Sequence, residues 1–495
     1  MGMSGVKEQL AGIAGKAHVT DDPAVLRGYA RDSSLVPARL PGCVVWPGTA
    51  EEVQSIVRWA NKTGTPLVPV SSGPPHFRGD TVPGADGALI VDLGRLKRIV
   101  RIDKRNRIAI VEAGVTYGEL QPELAKEGLR VGMPLMPRPN KSVVASLLER
   151  EALASSRYQW SLMEPLRCLE VVWGDSSRMW TGEAGEYIQD LGEQERMKRA
   201  AVVGMGPGSV DYYRFVSAAQ GTMGIATWAS VKCEILPAVH KVLFVAADRL
   251  ESLLGFVYEI ERIRYGDELF LANRAQLSYM LAGGRADIRG LKKRLPPWAA
   301  LLGIAGRAYL PEERVGYQCR DIGEIAKKHG LEPAEGLPGV SGDDALRCLE
   351  GLCEGEFWKL RYKGGNQEIF FLTTLDRTPA YVEKMFSVAG AMEYCCEDIG
   401  VYLQPQHQGV ACHCEFNLPY AEEETEKARE ILGIASQGLR DAGAYFSRPY
   451  GLWADLMYMD GEQNTMLLKQ VKNLFDPRGI MNPGKLCFKE AENGA

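Results

Sequence analysis

One loop of this 495-residue sequence is richer in polar and aromatic side chains than a plain turn requires. It reads SSGPPHFRGDTVP at residues 71–83 and follows the short apolar run PLVPV. Two small serines, Ser71 and Ser72, stand with Gly73 and Gly79, and residues without bulky side chains let backbone N–H groups approach an anion closely. We therefore expect this loop to contact a ligand that carries negative charge.

A second candidate stretch is HQGVACHCEF at residues 407–416. In a strand, His413 and Glu415 point to one face, and the two neighbouring cysteines point to the other. The pair could act as an acid/base couple, since imidazole titrates near neutral pH. It could bind a metal together with His407, or His413 could be a buried structural histidine. We predict no resident metal and keep His407, His413 and Glu415 as candidate catalytic residues.

The third stretch is SRPYG at residues 447–451. The guanidinium of an arginine is a planar fork that binds a carboxylate through two parallel hydrogen bonds. Arg448 could thus hold an anionic substrate or a developing negative charge. Tyr450 could hold a substrate oxygen or could simply pack against its neighbours.

The bulk composition narrows the class of protein. A chain of this length is expected to form two or three domains. The net charge of −5 and the lack of a basic run exclude a nucleic-acid surface. We see no stretch of 18 apolar residues and no signal-peptide core, so we expect neither a membrane span nor a leader. The 11 scattered cysteines predict reduced thiols and a cytoplasmic location.

The elements that must position these residues are short strands separated by helices, which predicts an α+β fold. TAEEVQSIVRWANKTG (49–64) reads as a helix with Thr49 as its N-cap, Glu52 completing a capping box, and Gly64 after its end. We divide the chain into an N-terminal helical segment (1–40), a first domain (41–237), a second α+β domain (238–445) and a return segment (446–495).

The order of five motifs resembles the vanillyl-alcohol-oxidase/p-cresol-methylhydroxylase type of FAD-dependent oxidoreductase. They are PGTAEEVQSIVRWANKTGTPLVPVSSG with the loop that follows it, VEAGVTYGEL, PNKSVVASLLERE with LRCLEVVWGDSSRMWTG, AAQGTMGIATWASVKCEILP, and DPRGIMNPGK. The resemblance implies a two-subdomain PCMH-type FAD-binding domain, an α+β cap domain over the flavin, and a C-terminal segment that returns to the first domain. FAD is the cofactor implied.

The residues that the resemblance assigns to FAD lie in the loop and in the later motifs. His76 is either a covalent attachment point or a contact of the pyrophosphate loop. The implied cofactor-binding residues are Ser71, Ser72, Gly73, Pro74, Pro75, His76, Phe77, Arg78, Gly79, Pro134, Ser142, Gly221, Gly224, Ile225, Thr227 and Asn482.

The sequence also departs from that family. Members that oxidise 4-alkylphenols have a tyrosine near Arg78 and a Tyr-Arg pair where this chain has Ser447-Arg448, and their aspartate near the flavin has no counterpart. The FAD domain also resembles enzymes that oxidise D-2-hydroxy acids, although their metal-binding segment is incomplete here. Two arginines near a flavin favour an anionic substrate.

We therefore predict an FAD-dependent oxidoreductase that oxidises a small hydroxy substrate, such as an anionic 2-hydroxy acid, by hydride transfer to flavin N5. The alternatives are a 4-alkylphenol or aromatic-alcohol oxidase, and a flavin-binding subunit of an electron-transfer complex without turnover of its own. Electrons would pass to oxygen or to a protein acceptor. An iron–sulfur or electron-transfer flavoprotein partner and a homo-oligomer are expected.

Overall fold

The computed structural model describes residues 3–156, 165–187, 201–206, 211–459 and 462–488. Its first sheet has four strands in the order β1-β2-β4-β3. The central pairs β2–β4 and β4–β3 are parallel, and β1 joins β2 antiparallel. The strands are β1 (Val19–Thr20), β2 (Cys43–Val45), β3 (Leu67–Val70) and β4 (Leu89–Asp92). The N-terminal segment predicted to be helical thus also supplies an edge strand.

The helix between β2 and β3 begins and ends as the sequence predicts. Thr49 is its N-cap, and its side chain accepts a hydrogen bond from the Glu52 N–H at 3.1 Å. Gly64 ends the helix in the left-handed conformation. The predicted capping box is wrong in one detail, since the Glu52 carboxylate accepts its hydrogen bond from Gly48 N–H. The apolar residues repeat at helical spacing, so one face is buried against the sheet.

The second sheet has five antiparallel strands in the order β5-β6-β10-β8-β9. A small pair, β7 with β11, lies beside it. These strands are β5 (Ile99–Asp103), β6 (Ile108–Glu112), β7 (Leu129–Arg130), β8 (Leu166–Trp173), β9 (Arg178–Trp180), β10 (Gly224–Lys232) and β11 (Glu234–Ile235). β10 lies at the centre of the sheet, and its first residues carry the glycine turn that the resemblance assigns to FAD.

The third sheet has seven strands in the order β15-β12-β14-β13-β19-β20-β18. Its strands are β12 (Val239–Ala247), β13 (Glu268–Asn273), β14 (Trp298–Gly306), β15 (Pro333–Ala334), β18 (Gly365–Thr373), β19 (Gly400–Gln406) and β20 (Ala411–Tyr420). A separate two-stranded ladder joins β16 (Gly336–Leu337) to β17 (Val340–Ser341). Along β20, Cys412, Cys414 and Phe416 point into an apolar core, so the alternate residues face the other side.

Helices cover these sheets and complete the α+β fold. In the described residues they are Met3–Ala14, Pro23–Tyr29, Ala50–Thr63, Tyr117–Lys126, Val143–Leu148, Ala184–Tyr187, Tyr213–Val216, Glu251–Ile263, Arg274–Leu281, Arg285–Arg294, Pro311–Lys328, Gly342–Glu350, Thr378–Ala391, Thr425–Asp441, Leu452–Tyr458 and Glu462–Phe475. None of the helices described has the length and apolar character needed to cross a membrane.

A charged group, the junction cluster (Arg130, Glu234, His240, Glu268 and Glu350), links the β7–β11 pair to the third sheet. Arg130 on β7 pairs with Glu268 on β13 at 2.8 Å and with Glu234 at 3.3 Å. The two ring nitrogens of His240 contact Glu268 at 2.8 Å and Glu350 at 2.6 Å. The cluster therefore forms a charged contact between the β7–β11 pair and the third sheet.

The end of the chain returns to the first sheet. Leu67 N–H on β3 donates to Ile480 O at 2.8 Å, and Asn482 N–H donates to Leu67 O at 2.8 Å. The buried Asn482 side chain then donates to Asp80 O at 2.9 Å and to Gln220 O at 2.7 Å. One residue near the C-terminus thus connects β3 with two loops that are far apart in the sequence.

Candidate active site

A cavity lies between the first two sheets and the third. Its volume is about 230 Å³, just below the range of about 300–1,000 Å³ typical of a site for one small ligand. Segments 69–81, 134–152 and 216–226 form one wall. Residues 357–359 and side chains from β18, β19, β20 and the 448–450 segment form the opposite wall. The two walls therefore present backbone, charged and aromatic groups to one shared cavity.

The predicted loop lies on the first wall, but only part of it faces the cavity. Ser71, Ser72, His76, Phe77 and Arg78 line the cavity. Gly73, Pro74, Pro75 and Gly79 do not, so their contact with FAD stays a prediction. Gly79 has φ +73, and a Cβ there would lie 2.4 Å from Val36; a Cβ on Gly73 would lie 2.6 Å from the Asn140 side chain. The backbone conformation of Gly79 therefore favours glycine, and a side chain at Gly73 would have to displace Asn140.

Arg78 faces the cavity with its charge already paired. Its Nη1 lies 2.7 Å from Glu149 and 3.1 Å from Glu151, and its Nη2 lies 3.8 Å from Glu368. The prediction that Arg78 offers a free cation to a ligand is therefore not supported by the geometry. Arg78 instead joins Glu149 and Glu151, from the first wall, to Glu368 on β18.

His76 is held neutral by its surroundings. Burial, and then the positive charges of Arg138 and Lys141, lower the pKa of His76 to about 3. Arg138, which our sequence reasoning missed, donates to Gly73 O at 2.8 Å and lies 5.2 Å from the centre of the Phe77 ring. Arg138 makes no ion pair with any carboxylate in the part of the chain that the structure describes. It is thus a cation available to an anionic ligand beside the loop.

The other predicted cofactor residues divide into wall residues and supports. Pro134, Gly221, Gly224 and Ile225 line the cavity. Gly221 has φ +70, and a Cβ on it would lie 2.4 Å from Pro69. This turn therefore requires glycine.

Ser142, Thr227 and Asn482 lie behind the wall rather than on it. Ser142 caps the helix Val143–Leu148, donates to Ala113 O at 2.6 Å and accepts from Ala145 N–H at 3.1 Å. Thr227 donates to Glu170 at 2.5 Å. The Ser142 and Thr227 hydroxyls are occupied by protein partners, whereas the Oδ1 of Asn482 is buried without one. Contact of these three residues with FAD stays a prediction.

His413 and Glu415 share the polar face of β20, as strand alternation predicts. His413 Nε2 lies 3.1 Å from Glu415 Oε2, and the ionised carboxylate can only accept, so Nε2 carries the proton. Burial, Arg448 and Lys359 lower the pKa of His413, although Glu415 acts in the opposite direction. Within the described residues the other ring nitrogen, Nδ1, has no hydrogen-bond partner, so a neutral imidazole with a free acceptor nitrogen lines the cavity.

Glu415 is ionised and held by a lysine that the sequence analysis overlooked. Burial alone would raise the pKa of Glu415, but Lys359 and His413 outweigh it and hold the pKa well below the ordinary value. Lys359 Nζ lies 2.5 Å from Glu415 and 2.5 Å from Glu368. Asn417 also donates to Glu415 at 2.8 Å.

His407 does not join this pair. It lies in the turn between β19 and β20 with φ 51, and it is absent from the cavity wall. His407 therefore lies outside the cavity wall, and its action together with His413 and Glu415 stays a prediction. No group of three potential metal ligands occurs in the residues described.

Arg448 is the buried cation of the opposite wall. It is 4% exposed, and its guanidinium carbon lies 4.2 Å from the centre of the Phe370 ring. Its Nη1 is buried without a hydrogen-bond partner, and among the described residues no carboxylate pairs with it. Burial, with the nearby Arg78, lowers the pKa of Arg448 to about 10, so it stays charged at neutral pH.

Tyr450 lines the cavity two residues further along. Burial raises the pKa of its hydroxyl, so the side chain is neutral. Arg78 lies 5.5 Å from the centre of its ring. Tyr450 is therefore placed both to pack against Arg78 and to present a hydroxyl to a ligand.

Comparison with known proteins identifies the class of cofactor. Residues 41–182 match the FAD binding domain family, and residues 454–486 match the C-terminal domain of FAD linked oxidases. The chain is an FAD-linked oxidoreductase. Its fold is also that of p-cresol methylhydroxylase solved with substrate bound, with a TM-score of 0.81 at 18% sequence identity over 99% of this chain and 98% of that one. The predicted fold class and cofactor are confirmed.

Relatives of the oxidoreductase differ in how much of their length aligns with this chain. A 1'-carboxy-chondrochloren decarboxylase from Chondromyces crocatus is 32% identical over 139 residues, which is 28% of this chain and 26% of that protein. A D-2-hydroxyglutarate dehydrogenase from Stutzerimonas stutzeri is 22% identical over 500 residues, or 97% of this chain and 98% of that protein.

The residues of the oxidoreductase fit FAD. The wall offers close backbone approach at the Gly221 turn, two small serines, and the cation Arg138 for the anionic part of the cofactor. On the opposite wall, the buried Nη1 of Arg448 has no hydrogen-bond partner, so it could donate to an anion or to a carbonyl oxygen of a ligand. Segments 69–81, 134–152 and 216–226 would hold the cofactor, and residues 357–359 and the 448–450 segment face it across the cavity.

Proposed function

We propose that this FAD-linked oxidoreductase oxidises a small hydroxy acid anion. The observation that carries the proposal is the buried, unpaired guanidinium of Arg448 on the same wall as the neutral His413. A buried charge without a partner is costly to a folded protein, so it is retained where a ligand supplies the missing charge.

The division of roles follows from the charges. Arg448 binds the substrate carboxylate, because the other cations of this wall are already paired with glutamates. His413 accepts the hydroxyl proton on Nδ1, and Glu415 orients the ring and stabilises the imidazolium that forms. FAD, when bound, accepts the hydride that leaves the carbon bearing the hydroxyl. The products are a keto acid, a protonated His413 and a cofactor reduced by two electrons.

The names of two relatives support an acidic substrate. D-2-hydroxyglutarate is a hydroxy acid, and the other relative is named for a carboxy compound. An aromatic-alcohol or 4-alkylphenol substrate is the second candidate, favoured by the aromatic residues Phe77, Phe357, Trp358, Tyr402 and Tyr450 on the cavity wall. Arg448 would then face a phenolate in place of a carboxylate.

The test is anaerobic reduction of the FAD-loaded protein, followed by flavin absorbance, with 2-hydroxy acids, neutral aromatic alcohols and alkylphenols. In Arg448→Met, kcat/KM for hydroxy acids should fall on the order of 100-fold, because charge-assisted hydrogen bonds to the carboxylate are lost. Neutral alcohols should be affected little.

The matched control is Arg320→Met, which removes an exposed arginine stacked on Tyr317 at 4.5 Å and should change neither class of substrate. An equal loss for acids and neutral alcohols would contradict the role of Arg448. Reduction by alkylphenols alone would favour the second candidate. Repeating turnover with oxygen or with an artificial electron acceptor would compare the proposed routes of reoxidation.

A further inference from the structure

Lys359 is a buried residue that contacts the glutamate of the His413–Glu415 pair. Its ammonium lies between two glutamates, 2.5 Å from Glu415 and 2.5 Å from Glu368. The side chain is 11% exposed, and its ammonium also lies 5.2 Å from the centre of the Trp358 ring. A buried charge of this kind is stabilised by carboxylates at hydrogen-bond distance.

The lysine belongs to a longer row of alternating charges. Glu368 continues to Arg78 at 3.8 Å, and Arg78 continues to Glu149 at 2.7 Å. We call Glu149, Arg78, Glu368, Lys359 and Glu415 the ion-pair chain. It begins on the wall that holds the cofactor and ends 3.1 Å from the His413 ring. Each internal member has an opposite charge on either side, so the loss of one member changes the charge that its neighbours experience.

Glu415 therefore divides its negative charge between two cationic or potentially cationic partners. Without Lys359, His413 would be the one group able to carry a positive charge within hydrogen-bond reach of Glu415 among the described residues. A carboxylate facing an imidazole alone favours the protonated ring, and a protonated His413 cannot accept a proton from a substrate.

We propose that Lys359 is a positioning residue for the reaction: it holds the Glu415 carboxylate in place and takes up part of its charge, so that His413 stays neutral and ready to accept a proton. This inference rests on the proposed role of His413 as the base. Lys359 acts through Glu415.

The groups that face His413 come from several elements. They are Glu415 on the same strand, Tyr402 on β19, Glu368 on β18, Lys359 before β18, and Arg448 and Tyr450 from the C-terminal segment. From the opposite wall, Arg78 and Glu151 line the same space. Arg448 acts in the same direction as Lys359 by opposing protonation of His413, but it has no contact with Glu415 that could orient the carboxylate.

The kinetic test is the pH profile of kcat/KM for anaerobic flavin reduction by the best hydroxy acid. In Lys359→Met the acid limb should move to higher pH. The loss of a charge within a few ångströms shifts the pKa of a neighbouring group by about one to three units. Each unit by which the pKa of His413 rises lowers kcat/KM about tenfold at pH values below that pKa. Lys359→Arg should restore the wild-type limb, because the charge is kept. Glu368→Gln should not move the acid limb to higher pH, because Glu415 is then the one carboxylate that Lys359 contacts.

Removing one buried cation could prevent folding, so a charge-balanced variant is included. Lys359→Met/Glu368→Gln removes one positive and one negative charge and should still raise the acid limb. A uniform loss of rate at every pH in both Lys359→Met and the double variant would overturn the proposal, since it would indicate a structural role alone.

A second measurement separates this inference from the proposed function. The protein has six histidines, so the ring signals of ¹³C-labelled histidine in the FAD-loaded protein can be followed by NMR, with His413→Gln identifying the signal. The His413 signal should titrate at higher pH in the double variant than in wild type. An unchanged titration overturns the inference even if hydroxy acids are oxidised. A shifted titration without hydroxy acid oxidation supports it while the proposed function fails.

Discussion

Replacing His240 tests whether the junction cluster holds the cap in place by electrostatics. His240 has a side chain that is 4% exposed and contacts two glutamates. Burial lowers its pKa, but the hydrogen bonds with Glu268 and Glu350 outweigh burial and raise the pKa to about 9. His240→Gln removes the charge and keeps a side chain of similar polarity that can donate to one glutamate.

The size and sign of the effect follow from linkage between protonation and folding. Raising the pKa of His240 from 6.5 to about 9 corresponds to about 3 kcal/mol of stability. Because the folded pKa is the higher one, this contribution is complete below pH 6.5 and disappears as the pH rises through 9. His240→Gln should therefore be less stable than wild type by about 3 kcal/mol at pH 6, by about half of that at pH 8, and nearly equal at pH 9.5.

The assay is urea unfolding of the FAD-loaded protein at pH 6, 8 and 9.5, with tryptophan fluorescence as the signal. The first transition is compared, because a multidomain chain need not unfold in one step. His329→Gln is the control: His329 contacts Glu259 at 3.1 Å with a side chain that is 28% exposed, and exposed pairs contribute about 0–1 kcal/mol. A difference between wild type and His240→Gln that stays constant across this pH range would refute the reasoning.

Two further predictions concern the cavity wall. Arg78→Met should lower the free energy of unfolding at pH 7 by about 3–5 kcal/mol, because three carboxylates lose their shared cation. Arg78→Lys should recover part of this stability. An unchanged urea midpoint in Arg78→Met would count against the ion-pair chain. In Asn482→Gly the glycine can adopt the backbone φ of 39° at this position, but the Asp80 and Gln220 carbonyls lose their hydrogen-bond donor. FAD should therefore dissociate more readily, which flavin fluorescence measures. Retention of FAD equal to wild type would contradict this support role.

Secondary-structure features that depend on neighbouring residues were predicted well from the sequence. Thr49 and Gly64 set the ends of a helix by chemistry contained within 16 residues. The shared face of His413 and Glu415 follows from the alternation of a strand. The motifs that resemble FAD-dependent oxidoreductases identified the cofactor, and the family comparison confirmed it.

The partners of the charged residues could not be predicted in this way. Lys359 meets Glu415 across 56 positions and Arg78 meets Glu149 across 71, so no spacing rule connects them. Arg78 was expected to face a ligand, and the structure instead places carboxylates around it. Lys359 gave no signal, because it lies outside the helices and strands, where no periodicity indicates burial. Whether a cation is paired or free depends on tertiary packing, and that distinction separates Arg78 from Arg448.

The return of the chain to β3 has a consequence for biosynthesis. Leu67 forms its contacts with Ile480 and Asn482, so more than 400 residues must leave the ribosome before those hydrogen bonds can form. At roughly 5–20 residues per second, this delay is on the order of 20–80 s. During that time the nascent first sheet lacks its C-terminal neighbour, and the Asp80 and Gln220 loops lack the side chain that joins them. The cofactor site is thus completed only after Ile480 and Asn482 have been made, and stable uptake of FAD is expected after that point.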